Sequence, residues 1–179
     1  MNKKFAKNKV VVITGGAKKI GRSTALKLAE QGFNILIHTG GKSTVDAKIT
    51  VKLVKEFKVK CNYVTGDLNN IKTIKKIKIA SEKMGIPSIL INNAGFRVYE
   101  NFEKIKYKDW KKVMSVNVDA SFLCAQALIR HMTKQKWGRI INIGGLSGHI
   151  GAKERAHVVT SKAALVGLTK AISMEFSER

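Results

Sequence analysis

The sequence predicts one α/β domain over residues 1–179, with helices on both faces of a doubly wound parallel sheet. Two observations predict this class. Short apolar runs alternate along the chain with longer segments whose apolar residues recur every three or four positions, which is the pattern of a βαβ chain. The first run, 10–13, is apolar at every position, as expected for a strand that is buried on both faces.

The later elements follow the same alternation. Short apolar runs predict further strands at 34–38, 61–64, 89–91 and 139–143. Apolar residues at helical spacing predict helices over 20–32, 45–57, 71–84, 109–132 and 158–176, the first of which Gly32 ends as a C-cap. The glycine-rich stretch 144–151 is predicted as a loop. No internal repeat and no linker divides the chain.

The composition limits the function classes. Lysine and arginine total 34 against 12 acidic residues, a net charge of +22, but the lysines are spread along the chain and no nucleic-acid-binding module is recognisable. A lysine-rich surface is therefore favoured over a nucleic-acid partner. No apolar run approaches the roughly 20 residues of a membrane span. Cys61 and Cys124 fit no metal spacing, so we expect no metal site and reduced thiols in a cytoplasmic protein.

The first strand leads into the glycines Gly15 and Gly16, and a helical pattern begins just after them. A strand, a glycine turn and a helix N-terminus together form an anion site, most often for the pyrophosphate of a dinucleotide. The generic G-x-G-x-x-G motif is not matched, however. An ordinary strand-to-helix turn therefore remains an alternative at this point.

Five motifs follow one another at regular positions. The segment 14–21 reads TGGAKKIG, Asp67 and Leu68 follow the third predicted strand, 92–95 reads NNAG, Asn117 lies within a helical apolar run, and Lys162 lies in the last predicted helix. In this order they resemble the short-chain dehydrogenase/reductase family over essentially the whole chain, and most of all its 3-oxoacyl-(acyl carrier protein) reductase branch. The resemblance implies a Rossmann-type fold and a homodimer or tetramer. It also implies hydride transfer between a nicotinamide cofactor and a small carbonyl or secondary alcohol substrate.

The resemblance also assigns roles to individual residues. Asn117 holds a water in a proton relay, and Lys162 is both catalytic and a ligand of the nicotinamide ribose. The cofactor-binding positions that it implies are Gly15, Ala17, Lys18, Lys19, Ile20, Gly21, Thr39, Asp67, Leu68, Asn93, Ala94, Gly95 and Lys162.

Each of these assignments has a simpler alternative. Asp67 could merely cap a turn, Lys18 could be a solvated surface residue, and Asn117 could be an ordinary buried amide. Lys19 stands where the family has a glycine, and we expect its φ to be negative, since lysine at positive φ carries a steric cost.

The charge pattern after the second strand favours NADP over NAD. NAD-specific sites place a carboxylate about 20 residues beyond the glycine turn, where it would repel a 2′-phosphate. Residues 38–43 contain no carboxylate but include Lys42. A basic and hydroxyl-bearing segment attracts the additional phosphate.

Two departures from the family pattern concern the chemistry and the length. Val158 occupies the position of the family's catalytic tyrosine, and Gly145 that of its serine. His157 and Ser147 are the candidate replacements, as a neutral-pH proton donor and a hydrogen-bonding hydroxyl. The chain also stops after the last core helix, where family members continue, so we expect a fragment or a truncated paralogue that is poorly stable alone. Two functions stay open: an NADP(H)-dependent oxidoreductase with an altered proton donor, and a catalytically impaired nucleotide-binding paralogue acting as a partner subunit.

Overall fold

The computed structural model describes residues 3–179, which form a parallel sheet of five strands with helices packed on both faces. This confirms the predicted fold class. The strands are β1 Lys9–Thr14, β2 Asn34–Thr39, β3 Cys61–Thr65, β4 Ile86–Asn92 and β5 Arg139–Asn142. The helices are α1 Lys3–Ala6, α2 Lys19–Glu30, α3 Thr44–Lys55, α4 Ile71–Met84, α5 Tyr107–Met114, α6 Ala120–Lys134, α7 Ser147–Ile150 and α8 Ala156–Phe176.

The strand order β3-β2-β1-β4-β5 places β1 at the centre of the sheet. Strand β1 pairs in parallel with β2 on one side and β4 on the other, with Ile13 opposite Ile37 and Ile91. The chain runs outward in one direction to β3 and then returns past β1 to β4. In open α/β sheets the crevice at such a reversal, beyond the carboxyl ends of the strands, is where ligands bind.

The two faces of β1 belong to two separate cores. Val11 and Ile13 pack with Ala25 of α2 and Val54 of α3, whereas Val10 and Val12 pack with the apolar residues of α4 and α6. All four β1 side chains have an exposed fraction of 0%. Because successive side chains of a strand point to opposite faces, a strand covered on both faces must be apolar throughout, as 10–13 is.

Strand β4 begins earlier than the sequence predicts. Its apolar run suggested a start at Ile89, but the strand begins at Ile86 and includes Pro87. Val10 pairs with Pro87 and Val11 pairs with Ile89, so the register shifts there and one residue bulges. A bulge near a strand end tolerates proline, which lacks the N–H that a regular ladder position requires.

The long helix predicted over 109–132 is divided. Tyr107–Met114 and Ala120–Lys134 are α-helical, and Ser115–Asp119 between them is a π-helical segment. The predicted loop 144–151 contains the single-turn helix α7. Among residues 3–179 no helix is both long and apolar enough to span a membrane.

Candidate active site

The turn between β1 and α2 packs directly against the NNAG segment. Gly15 has φ +63°, and a Cβ at this position would lie 3.0 Å from the Ala94 Cα. A Cβ at Gly21 would overlap the backbone oxygen of Gly15. Glycine at these two positions therefore lets three backbone segments approach one another closely.

The expectation that Lys19 has a negative φ is wrong, because its φ is +50°. Lysine thus occupies the left-handed conformation that a glycine adopts without strain. Lys18, just before it, is extended at φ −154° and precedes the first turn of α2. The Lys19 backbone therefore carries the steric cost of this conformation.

Hydrogen bonds fasten the NNAG segment to the end of β1. The Asn93 side-chain amide donates to the carbonyl oxygens of Thr14 and Gly15, both at 3.0 Å. The Thr14 hydroxyl accepts from the backbone N–H groups of Asn93 and Ala94 at 3.1 and 3.0 Å. Asn93 therefore lies beside the turn and fixes its shape.

Asn117 lies in the middle of the π-helical segment and is buried. Its Nδ2 donates to the Phe96 carbonyl at 3.1 Å and to the Ser161 hydroxyl at 2.8 Å, and its Oδ1 accepts from the Phe96 N–H at 2.7 Å. One side chain thus joins the segment after β4, the interrupted helix and α8. Single π-helical turns inside α-helices are frequent at functional sites.

Lys162 of α8 extends towards the end of β5. Its Nζ donates to the Ile143 carbonyl at 2.6 Å. Burial lowers the pKa of Lys162, since desolvation penalises the ammonium form. A Cβ at Gly95 would lie 3.9 Å from this Nζ and 3.6 Å from Asn117 Oδ1, so the two side chains meet beside Gly95.

These groups line one cleft of about 460 Å³ at the carboxyl ends of the strands. The lining residues are Gly15, Lys18, Lys19, Ile20, Gly21, Asn93, Ala94, Gly95, Phe96, Arg97, Asn117, Gly144, Val158 and Lys162. Ten of the residues proposed from the sequence are therefore brought together. Ala17, Thr39, Asp67, Leu68, Ser147 and His157 are not part of this lining.

The end of β2 lies beside the glycine turn, and the end of β3 lies beside the end of β2. The Gly16 N–H donates to the His38 carbonyl at 3.0 Å, and the Gly66 N–H donates to the Thr39 carbonyl at 3.2 Å. Asp67 Oδ1 accepts from the Asn69 N–H at 3.0 Å, which is the turn-capping role left open for this residue. Leu68 is buried.

His38 is buried, and only one of its two ring nitrogens is hydrogen-bonded within residues 3–179. Its Nε2 donates to the Gly66 carbonyl at 2.9 Å, and its Nδ1 has no hydrogen-bond partner in the described part of the chain. Burial lowers the pKa of His38, and this effect exceeds the opposing influence of the Gly66 hydrogen bond and the Asp67 charge.

The two candidate proton donors lie in different surroundings. His157 has an exposed fraction of 0% and does not line the cleft. Both of its ring nitrogens lack hydrogen-bond partners among residues 3–179. Val158 lines the cleft instead. The Ser147 hydroxyl lies 3.8 Å from the position that a Cβ at Gly145 would take, so a hydroxyl is present near the position of the family's serine.

Sequence reasoning missed an ion-pair cluster beside the turn. Asp46 of α3 lies 3.7 Å from Lys18 Nζ and 3.4 Å from an Arg22 nitrogen. Arg22 also donates to the Ala17 carbonyl and to the Thr50 hydroxyl. No sequence motif predicts this role of Asp46, because its contacts with Lys18 and Arg22 join residues that are 24 or more positions apart. Arg97, two residues beyond NNAG, was missed too, although its place just after a strand end was a usable signal.

Comparison with known proteins agrees with this geometry. Residues 9–179 match the family model described as short chain dehydrogenase. The chain belongs to the short-chain dehydrogenase family. It is therefore a member of an oxidoreductase family with a Rossmann fold, whose members bind nicotinamide dinucleotides.

The curated relatives include 3-oxoacyl-[acyl-carrier-protein] reductases. The Staphylococcus epidermidis protein is 33% identical over 176 residues, and the Aquifex aeolicus protein is 35% identical over 173. Each alignment covers 96% of this chain and 70% or 69% of the relative. The family member described here thus resembles the 3-oxoacyl-(acyl carrier protein) reductase branch.

Solved structures of dehydrogenases share this fold. Acetoin dehydrogenase YohF from Salmonella typhimurium superimposes with a TM-score of 0.91 at 34% identity, over 96% of this chain and 68% of that one. An NAD⁺-bound xylitol dehydrogenase superimposes with a TM-score of 0.89 at 27% identity, over 96% and 66%.

Proposed function

We propose that this protein is an NADP(H)-dependent oxidoreductase that transfers hydride to or from a carbonyl or secondary alcohol. The observation that supports it is the shared lining of one cleft by the glycine turn, Gly95, Asn117 and Lys162. A bound nicotinamide supplies or accepts the hydride. The chain has to hold both reactants close together and move a proton to or from the substrate oxygen.

The cofactor would lie along the carboxyl ends of the strands. The N-terminus of α2 offers backbone N–H groups to the pyrophosphate, and Gly15 and Gly21 permit the close approach. Asp67 and Leu68 would flank the adenine, and Thr39 the adenosine ribose. Asn93, Ala94 and Gly95 would line the path to the nicotinamide, with Lys162 on its ribose.

Proton transfer needs a donor other than Val158. We assign this role to Lys162, because its ammonium lines the cleft and its pKa is lowered by burial, which eases proton release. Ser147 would hydrogen-bond the substrate oxygen. Asn117 would hold in place the part of the cleft wall that carries Lys162. Reduction should then slow as the pH rises through the lowered pKa of Lys162, because the ammonium that donates the proton is lost.

The decisive experiment combines binding and turnover. NADPH is titrated by fluorescence, and its oxidation is followed with a panel of ketones and aldehydes, for wild type and for the double variant Val158→Tyr with Gly145→Ser. Turnover by wild type supports the proposal. NADPH binding without turnover in wild type, together with activity of the double variant, would instead favour the catalytically impaired partner subunit. Absence of NADPH binding would contradict both functions.

The preference for NADP depends on the charges around Lys18. No carboxylate lies among residues 38–43, but Asp46 lies 3.7 Å from Lys18 Nζ. A 2′-phosphate would compete with Asp46 for this ammonium. We therefore expect Asp46→Asn to tighten NADPH binding about twofold to fivefold and to leave NADH binding nearly unchanged, as for an exposed ion pair worth at most ~1 kcal/mol.

Both cofactors are titrated by fluorescence for wild type and Asp46→Asn. The matched control is Glu56→Gln, because Glu56 follows the far end of α3 and belongs to no ion pair within residues 3–179. Equal changes for NADPH and NADH would contradict the role of Asp46. A wild-type preference for NADH would contradict the NADP assignment itself.

We also propose that the protein works in the cytoplasm as a homo-oligomer. Cys61 and Cys124 are buried free thiols, and burial raises the pKa of each to about 12, so both remain protonated and unreactive. Helices α6 and α8 expose large apolar side chains, Phe122 at 45% and Met174 at 82%, which are available to a second copy. Nucleic-acid binding is the less favoured use of the +22 charge, and steeply salt-dependent DNA binding would reveal it.

A further inference from the structure

Two arginines converge on one aromatic ring at the mouth of the cleft. The Arg155 guanidinium carbon lies 4.5 Å from the centroid of the Tyr99 ring, and that of Arg97 lies 6.0 Å from the same centroid. Arg97 also lines the cleft, as do Phe96, Val158 and Lys162. The cluster of Arg97, Tyr99 and Arg155 therefore borders the place where a substrate would enter.

The backbone holds this cluster together. The Glu100 N–H donates to the Glu154 carbonyl at 2.6 Å, which joins the segment after β4 to the segment before α8. Arg155 directly precedes α8, only three residues before Val158. The two arginines are thus carried by the same segments that form the catalytic side of the cleft.

The arginines lack partners that would neutralise them. Within residues 3–179 no carboxylate lies within 4.0 Å of either guanidinium, and neither side chain donates a hydrogen bond to another residue. The Nε of Arg155 is buried and has no hydrogen-bond partner among these described residues. A third cation lies nearby, because Lys112 Nζ is 4.6 Å from the ring of Phe96.

The buried Nε of Arg155 is costly unless an acceptor accompanies it, whereas Arg97 is exposed and its donors are open to solvent or to an incoming anion. Like charges held near one another repel, and a buried N–H without an acceptor loses the free energy of its water hydrogen bonds. Stacking on an aromatic ring orients a guanidinium but leaves its planar fork of donors free. That fork matches the two oxygens of a carboxylate or the oxygens of a phosphate.

We propose that the substrate carries an anionic group, a carboxylate or a phosphate, which Arg97 and Arg155 bind while the carbonyl reaches Lys162. This inference rests on the proposed function, since it names the class of carbonyl compound that the oxidoreductase takes. Neutral ketones and alcohols would leave both guanidinium groups unpaired. The site would therefore bind neutral compounds more weakly than anionic ones, because the guanidinium donors would stay unpaired.

Matched pairs of probes test the inference by calorimetry on the whole chain. Acetoacetate is compared with methyl acetoacetate, and dihydroxyacetone phosphate with dihydroxyacetone, so that the carboxylate and the phosphate are distinguished. We expect at least one anion to bind about tenfold more tightly than its neutral partner, the usual value of a charge-assisted hydrogen bond. Arg97→Gln and Arg155→Gln should each remove most of this preference, and Arg155→Lys should restore part of it.

The control variant is Arg139→Gln. Arg139 also stacks on an aromatic ring, at 5.1 Å from Trp137, but it lies in β5 and outside the cleft. Equal binding of charged and neutral probes, binding of no probe, or an anion preference that survives both Arg97→Gln and Arg155→Gln would overturn the inference. A parallel NADPH titration keeps the two questions apart. If the arginine variants weaken NADPH rather than the anions, the substrate assignment fails while the proposed function stands.

Discussion

At the residue scale, the backbone departs most clearly from the family pattern at Lys19, which replaces a glycine and has a positive φ. A non-glycine residue at φ +50° stores strain on the order of 1–3 kcal/mol, which glycine does not pay. Glycine loses more conformational entropy on folding than lysine does, which would lower the free energy of unfolding by roughly 0.5–1 kcal/mol. The surplus strain remains in the native turn.

We expect Lys19→Gly to raise the free energy of unfolding by about 1 kcal/mol, because relief of strain exceeds the entropic loss. Lys18→Gly is the matched control: Lys18 is extended, so the same substitution should bring only a loss. Urea denaturation of both variants measures the difference. Equal changes in the two variants would contradict the strain at Lys19.

His38 links stability to pH. Burial lowers the pKa of its imidazole below 6.5, so the folded protein holds the neutral form longer than the unfolded chain does. The stability that neutral His38 contributes is therefore fully present above pH 6.5. It is lost as the pH falls from 6.5 towards the lower pKa of the folded state, by up to ~1.4 kcal/mol per pH unit.

His38→Gln should flatten this pH dependence, since glutamine can donate to the Gly66 carbonyl without titrating. Urea unfolding between pH 7.5 and 5 is compared for wild type and variant. Identical slopes would show that His38 is not the group that links stability to pH.

At the element scale, the π-helical segment is the feature that propensity could not predict. The sequence predicted one long helix over 109–132 with Asn117 inside it. The structure shows why the interruption is held: the Asn117 side chain makes three hydrogen bonds, two to the backbone of Phe96 and one to Ser161. These bonds join three segments of the cleft wall.

Asn117→Ala should lower the free energy of unfolding by about 2–4 kcal/mol, because the buried groups of Phe96 and Ser161 lose their partners. Asn101→Ala is the control, because Asn101 is exposed and its side chain makes no hydrogen bond within residues 3–179. Chemical denaturation gives the stability, and NADPH titration reports whether the cleft survives. A loss in Asn117→Ala no larger than that of the control would contradict the bridging role.

At the scale of the whole molecule, apolar surface is left uncovered on one side. Among residues 3–179, strand β5 pairs only with β4, and Ile141 in it is 46% exposed. On α8 the buried side chains are confined to its first half, whereas Met174 near its end is 82% exposed. Exposed edges and apolar helix faces favour association.

We expect wild type to associate in size-exclusion chromatography, and Met174→Glu to shift it towards the monomer, since a carboxylate would be buried in the contact. Val45→Glu on α3 is the matched control, because Val45 is 74% exposed on a helix outside the proposed contact. A monomeric wild type, or the same shift in both variants, would contradict an interface through α8.

The order of helices and strands was accessible from the sequence because it depends on short-range patterns. The run 10–13 must be apolar to be covered on both faces, and the motifs at the strand ends identified most of the cleft lining, from Gly15 to Lys162. Element boundaries moved where a local rule was overridden. Pro87 entered β4 because a bulge removed the need for its N–H.

What only the tertiary structure decided are contacts between residues far apart in sequence. The burial of His157 away from the cleft, the pairing of Asp46 with Lys18, and the convergence of Arg97 and Arg155 on Tyr99 have no signature along the chain. The physical reason is that periodicity and motif spacing report which face a residue occupies. The charge that a side chain meets, and the burial that shifts its pKa, are set by packing between separate elements.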